Sequence, residues 1–173
     1  MNVFKVIQTS KGPVKIVEYE KKLLTAVIEM YRQFDDRVLD YALPPYTPDK
    51  IRRYLFTHDE DWFNYLAVSS DQIVGHLQVH RFTDVRRSHV CEFFIYIHQD
   101  YHDLGIGKTM IMQMIERARK KKVKKIKLAC FADNERAINV YKKMGFQIEA
   151  RLEKEFFRKG EYLDKLYMSF WLD

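Results

Sequence analysis

The sequence predicts an α/β protein built on a mixed, mostly antiparallel central sheet of about six to seven strands flanked by helices. Three observations lead there. The alternating runs NYLAVSS and QIVGHLQVHRF meet at a tight turn around Ser70 and Asp71, the pattern of an antiparallel hairpin. The run HVCEFFIYI is apolar at odd and even positions alike, as in a central strand covered on both faces, and it opens a strand, helix, strand, helix series. The C-terminal runs FQIEARL and EYLDKLYMSFWL then read as two strands joined across RKGE.

Each remaining element follows from local chemistry. After a short extended start, VKIVEYE, the segment EKKLLTAVIEMYRQF puts Leu24, Val27, Ile28, Tyr31 and Phe34 on one helical face at three- and four-residue spacings. The break ALPPYTPDK ends with Thr47 as an N-cap and Pro48 at the first helical position, opening a short helix through Ile51, Tyr54 and Leu55. Beyond Gly107, the residues Ile111, Met114, Ile115 and Ala118 form the buried stripe of another helix. KIKLACF alternates as a strand, and NERAINVYKKMG gives a last helix buried through Ala137, Val140, Tyr141 and Met144 and stopped by Gly145. With no repeat, linker or low-complexity segment, one domain is expected over residues 1–173.

At 47% hydrophobic and 31% charged residues the chain has the balance of a soluble globular protein. No apolar run reaches the ~18 residues that span a bilayer, and the start MNVFKVIQTSKG lacks a signal-peptide core, so no membrane partner and a cytoplasmic location are expected. Cys91 and Cys130 sit in strand-like contexts, where cysteine acts as a small hydrophobe rather than half of a disulfide. A net charge of +6 favours anionic partners: nucleic acid, acidic protein or a phosphorylated coenzyme. The basic run RARKKKVKKIK, residues 117–127, reads first as the solvated end of a helix, and no aromatic residue interleaves it as a nucleic-acid platform would require. No metal-ligand pattern is present.

The stretch HDLGIGKT, residues 102–109, ends in Gly-Lys-Thr. An ATPase-type phosphate loop needs glycine six residues before that lysine, where this chain has His102, although KLACFAD imitates the metal-binding strand of such proteins through Asp133. Two other readings stand: a glycine turn that merely starts a helix, and an anion cradle. In the second, a turn with Gly105 and Gly107 between strand and helix points unpaired N–H groups and the positive helix end toward one place, and Lys108 adds charge.

HDLGIG resembles the coenzyme A loop of the GNAT superfamily of N-acetyltransferases, in which Gln or Arg, two variable residues, Gly, one residue and Gly or Ala follow one another. NERAINVYKKMGF, about thirty residues on, resembles that family's segment of asparagine, alanine, tyrosine and closing Gly-Phe. The likeness runs from NYLAVSS to the C-terminus. His102, Asp103 and Leu104 depart from the family, which often has Gln or Arg, a small residue and a basic residue there. The resemblance implies an acyl-CoA N-acyltransferase fold with a splayed parallel strand pair, and direct transfer from acetyl-CoA, the acetyl-donor substrate, to a primary amine of a small molecule or protein N-terminus. It implies that Ile95, Tyr96 and Ile97 line the pantetheine arm and that residues His102, Asp103, Leu104, Gly105, Ile106, Gly107 and Lys108 form the coenzyme loop. Asn134 would contact the coenzyme arm, and it also suits a helix N-cap.

Two residues are candidates for proton transfer. An amine is almost wholly protonated at pH 7, so a base is useful, and Glu92, in an apolar strand expected to raise its pKa, is that candidate. A carboxylate paired with a neighbouring lysine is the structural alternative. His76, His80 and His98 are weaker candidates. By the resemblance, Tyr141 protonates the leaving thiolate, and as a plain core aromatic it would also fit the helix stripe. Tyr41, Tyr46, Trp62, Phe156, Phe157 and Tyr162 are candidate walls for the acceptor. A non-catalytic coenzyme A-binding regulatory module and a basic nucleic-acid-binding protein are the rival classes, and a homodimer is left open.

Overall fold

The computed structural model describes residues 2–55 and 62–172, together with the backbone but not the side chains of Tyr54 and Trp62. Among these, the strands β1 (Val3–Thr9), β2 (Gly12–Glu18), β3 (Trp62–Ser69), β4 (Gln72–Arg81), β5 (Val90–Ile97), β6 (Lys125–Phe131), β7 (Gln147–Arg158) and β8 (Glu161–Trp171) form one sheet. Their order is β1-β2-β3-β4-β5-β6-β8-β7. Every neighbour pair is antiparallel except β5 with β6.

Eight strands rather than six to seven come from the N-terminus. Val3–Thr9 lacks clean alternation and forms an edge strand, half-solvated along most of its length, that pairs only with β2. The β3–β4 hairpin turns where expected, with Ser70 and Asp71 both at left-handed φ (45° and 67°), the backbone of a two-residue hairpin turn. The run FQIEARL continues as β7 to Arg158 through register shifts at Ile148/Ala150 and Leu152/Phe156.

Helices α1 (Leu24–Arg32), α2 (Asp36–Leu39) and α3 (Pro48–Leu55) cover one face of β2–β4 around a core containing Val17, Val27, Ile51 and Leu66. The first helix is shorter than its apolar stripe: Lys21–Leu23 form a 3-10 turn, and Phe34 is buried beyond the helix end. Thr47 caps α3 through its hydroxyl, which accepts the Lys50 N–H at 3.2 Å. The four-residue α2, capped by Asp35, is too short to show periodicity and went unread.

Helices α4 (Ile106–Lys120) and α5 (Glu135–Lys143) pack on the opposite face. Ile111, Met114, Ile115 and Ala118 are buried as expected, joined by Ile106 and Met110. Gly75 on β4 permits this close approach: a Cβ there would stand 2.8 Å from Ile97 Cδ1 and 3.2 Å from Met110 Sδ. On α5 the fully buried residues are Ile138 and Tyr141, while Ala137, Val140 and Met144 are only partly covered. Among the described residues, no helix is long and apolar enough to cross a membrane.

Part of the basic run is engaged within the fold. Arg117 donates to Glu18 at 2.5 Å and lies over Phe63; Lys125 pairs with Glu149 and lies over Trp171; Lys127 lies over Tyr167. Cys91 and Cys130 are free thiols on β5 and β6, as their strand contexts suggested.

Candidate active site

β5 and β6 pair at only three positions, Val90 with Lys125, Cys91 with Ile126 and Glu92 with Lys127. Beyond Glu92 the strands part, each held on its other side by β4 and β8. A cleft of about 970 Å³ occupies the opening, lined from both faces of the sheet by β4, β5, β6, α4 and α5 and by residues of α2 and α3. This is the splayed parallel pair that the resemblance implied.

Alternation decides which main-chain groups of β5 face the gap. The Val90 carbonyl accepts from Phe82 N–H and the His98 N–H donates to the Val74 carbonyl, so even positions turn toward β4. Phe93, Ile95 and Ile97 therefore turn toward the cleft. Tyr96 belongs to the β4 ladder, and its ring packs with Tyr31, Phe34 and Tyr46 on the α1 side. Of the three strand-end residues read from sequence, Ile95 and Ile97 thus have the geometry for main-chain contact, and Phe93 joins them.

The strand continues into the glycine loop. Gly105, at φ 75°, is the N-cap of α4, and Thr109 N–H to the Gly105 carbonyl (3.0 Å) begins its ladder. The N–H groups of Ile106, Gly107 and Lys108 precede that first bond and have no helical carbonyl to meet. Leu104 and Ile106 turn their side chains into the core, leaving the main chain and exposed Lys108 outward. A Cβ on Gly107 would meet Ile95 and Ile97 at 3.8 Å, ordinary contact, so alanine fits here and the absent side chain faces the strand rather than an incoming phosphate. Asp103, also left-handed at φ 61°, aims its carboxylate at Arg136, and His102 bonds to the Ile97 carbonyl at 3.0 Å.

Tyr141 rises from α5 into the wall of the cleft. Its ring contacts Phe93 and Phe146 edge-on, and burial raises its phenol well above the ordinary value, so it stays protonated. The hydroxyl makes no hydrogen bond among the described residues. Asn134 caps α5 by accepting the Ala137 N–H at 3.2 Å, which leaves its NH₂ group for the cleft it lines. The cleft therefore brings together bare amides at a helix start, a strand edge without a sheet partner and a protonated phenol.

Glu92 lines the same cleft from the other face. Its setting is not the apolar one expected, because its cross-strand neighbours are His80 and Lys127. Among the described residues it forms no hydrogen bond or ion pair, so the alternative of a closed pair with Lys127 is not realised. His80 lines the cleft opposite it. His76 is fully buried and His98 lies outside the cleft.

Of the candidate wall residues, Tyr41 and Phe156, stacked on Phe131 at 4.0 Å, line the cleft. Tyr46 belongs instead to the α1 cluster, Phe157 and Tyr162 are exposed against each other, and the Trp62 side chain lies outside the described residues. Arg158 was missed: it donates to Asp133 and to the Asp40 carbonyl (2.8 Å) and lies over Tyr41 and Phe131, tying three walls together. Arg136 was missed as well, though it stands inside the motif NERAINVYKKMGF. Neither has a sequence signal, since their partners are 25 to 118 residues away. No group of three His, Cys, Asp or Glu among the described residues is placed to hold a metal.

The model of the acetyltransferase (GNAT) family matches residues 24–146. Over 105 residues, 60% of this chain, the sequence is 38% identical to the L-amino acid N-acetyltransferase AaaT of Escherichia coli, and the match spans 65% of that relative's length. It is 27% identical over 82 residues to a Pseudomonas aeruginosa L-methionine sulfoximine/L-methionine sulfone acetyltransferase, covering 47% of this chain and 48% of that one. The crystal structure of smu.2055 from Streptococcus mutans superposes with a TM-score of 0.79 at 27% identity, covering 92% of this chain and 99% of the other.

Proposed function

The chain belongs to the GNAT acetyltransferase family, and from that premise we propose that it moves the acetyl group of acetyl-CoA directly to a primary amine of a small molecule or protein N-terminus. The observation that carries this is the cleft where β5 leaves β6 after Glu92, bounded at once by the bare amides of the glycine loop, by Tyr141 and by Glu92. The loop N–H groups and the start of α4 receive the diphosphate. The strand edge at Phe93, Ile95 and Ile97 pairs with the pantetheine arm, and an amide there polarises the thioester carbonyl.

Glu92, directly or through water, takes the proton of the attacking amine, and Tyr141 gives its phenolic proton to the departing sulfur. Free α-amino acids are the first acceptor class to test. The AaaT relative is named for them, and the cleft lining offers a zwitterion both signs of charge, with Glu92 alongside Arg53 and Lys165. A single domain over the whole chain and a cytoplasmic location belong to the same proposal. The test is thiol release from acetyl-CoA against panels of amino acids, polyamines and N-terminal peptides, with product masses read out. A mass gain of one acetyl group on an amine supports the reading, and no product from any class defeats it.

A further inference from the structure

The coenzyme loop of this chain has an electrostatic difficulty that α5 resolves. Positions 102–104 carry His, Asp and Leu, so the only full charge they bring to an approaching diphosphate is a negative one. Arg136, the second residue of α5, answers it: Nε donates to Asp103 Oδ1 at 3.0 Å, and a terminal nitrogen donates to His102 Nδ1. On its other side the His102 ring meets the Ile97 carbonyl at 3.0 Å. A guanidinium only donates and a carbonyl only accepts, so His102 is neutral with its proton on Nε2. Partial burial and the neighbouring guanidinium both hold its pKa down, in agreement with that tautomer.

Two bonds thus run from α5 through Arg136 and His102 to the end of β5, and a third ties Arg136 to Asp103, beside the cleft that Arg136 and His102 line. They fix Ile97, whose main chain faces the gap, and turn the Asp103 carboxylate onto a cation. We infer that Arg136 is a positioning residue of the coenzyme site: from a separate helix it supplies the positive charge that residues 102–104 lack, cancels Asp103 and holds the loop in its receiving shape through His102. The inference rests on the acetyl-CoA reading and concerns how this particular loop achieves binding.

Two unit charges about 6 Å from a bare carboxylate in water meet a repulsion that corresponds to about a tenfold loss of affinity. Calorimetric titration of coenzyme A into the full chain, Arg136→Ala, Asp103→Ala and the double variant separates the possibilities. Arg136→Ala is expected to weaken binding about tenfold, Asp103→Ala to leave it unchanged or tighter, and the double variant to recover to within about threefold of Asp103→Ala. Arg136→Lys recovers part of the loss, keeping the charge but not the fork. The exposed pair contributes little to stability, so Tm stays nearly constant in Arg136→Ala and Arg136→Lys, whereas alanine at the left-handed Asp103 lowers it modestly. Equal losses on removing Arg136 with or without Asp103 mean that the guanidinium grips the coenzyme itself, and they overturn the inference. So does an unchanged Arg136→Ala titration. If the unmodified chain binds no coenzyme A, the acetyl-CoA reading fails and takes this inference with it; binding by the unmodified chain with indifferent variants sinks the inference alone.

Discussion

Two polar groups on the same face of neighbouring central strands have opposite fates. His76 on β4 is fully buried and has both ring nitrogens engaged, with Tyr31 Oη at 2.7 Å and Asn64 Oδ1 at 2.9 Å. Burial drives its pKa down to about 3, so the ring is neutral: Tyr31 donates to Nδ1, and Nε2–H donates to Asn64. Glu92 on β5, opposite His80 in the β4 ladder, is half-buried and makes no such bonds among the described residues. The difference lies in what covers them. Helix α1 closes over His76, whereas the sheet opens beside Glu92. A polar residue with every bond satisfied is architecture, and one left unpaired in a cleft is available for chemistry.

The largest expected effect sharpens the open side of this contrast. Tyr141→Phe should lower kcat by about a hundredfold or more while coenzyme affinity stays within about threefold, since only the proton is lost. Steady-state rates with calorimetry check this, and unchanged turnover would return Tyr141 to the role of a core aromatic. Next, His76→Ala should cost about 3 kcal/mol of stability, because it removes the buried hydrogen bonds to Tyr31 and Asn64 and leaves a void. Urea denaturation measures the loss, and kcat per folded molecule should not change.

The same residue carries a pH signature. Its folded pKa of about 3 lies below the ordinary 6.5, so its contribution to stability is complete above pH 6.5 and is lost as pH falls. The decline should be up to about 1.4 kcal/mol per pH unit. His98 and His102, also lowered, act with the same sign. Below about pH 4 the depressed carboxylates of Asp35 and Asp164 add their own losses. Denaturation midpoints from pH 7 to 4 should therefore slope less in His76→Ala than in the unmodified chain. The smallest effect is expected at Glu92, where Gln should reduce kcat/KM for the acceptor by about tenfold and leave stability unchanged. A large stability loss there would erase the distinction between the two sites.

The sequence showed the glycine-loop side of the cleft more clearly than the wall of Tyr41, Phe131 and Phe156. A glycine loop between strand and helix and an asparagine and a tyrosine on one helix are local patterns, and local patterns survive in a linear text. Arg158 and Arg136 act on residues from other elements, so only the fold brings their partners to them. The α5 stripe was half legible for a related reason. Ala137 and Val140 line the cleft, Ala137 also touching the core, so their apolar character marks a wall for a ligand, while Ile138 does most of the packing. Edge strand β1 was missed because solvent on its outer side removes the need for strict alternation.

Three rungs between β5 and β6 are all the ladder that stitches one part of the sheet, β1 to β5, to the other, β6 to β8. The protein is therefore a book with a short spine, and a ligand lying along Phe93, Ile95 and Ile97 would act as a bookbinder's thread. Amides on both facing pages should exchange with solvent sooner in the empty protein than in the loaded one, even those that never touch the ligand.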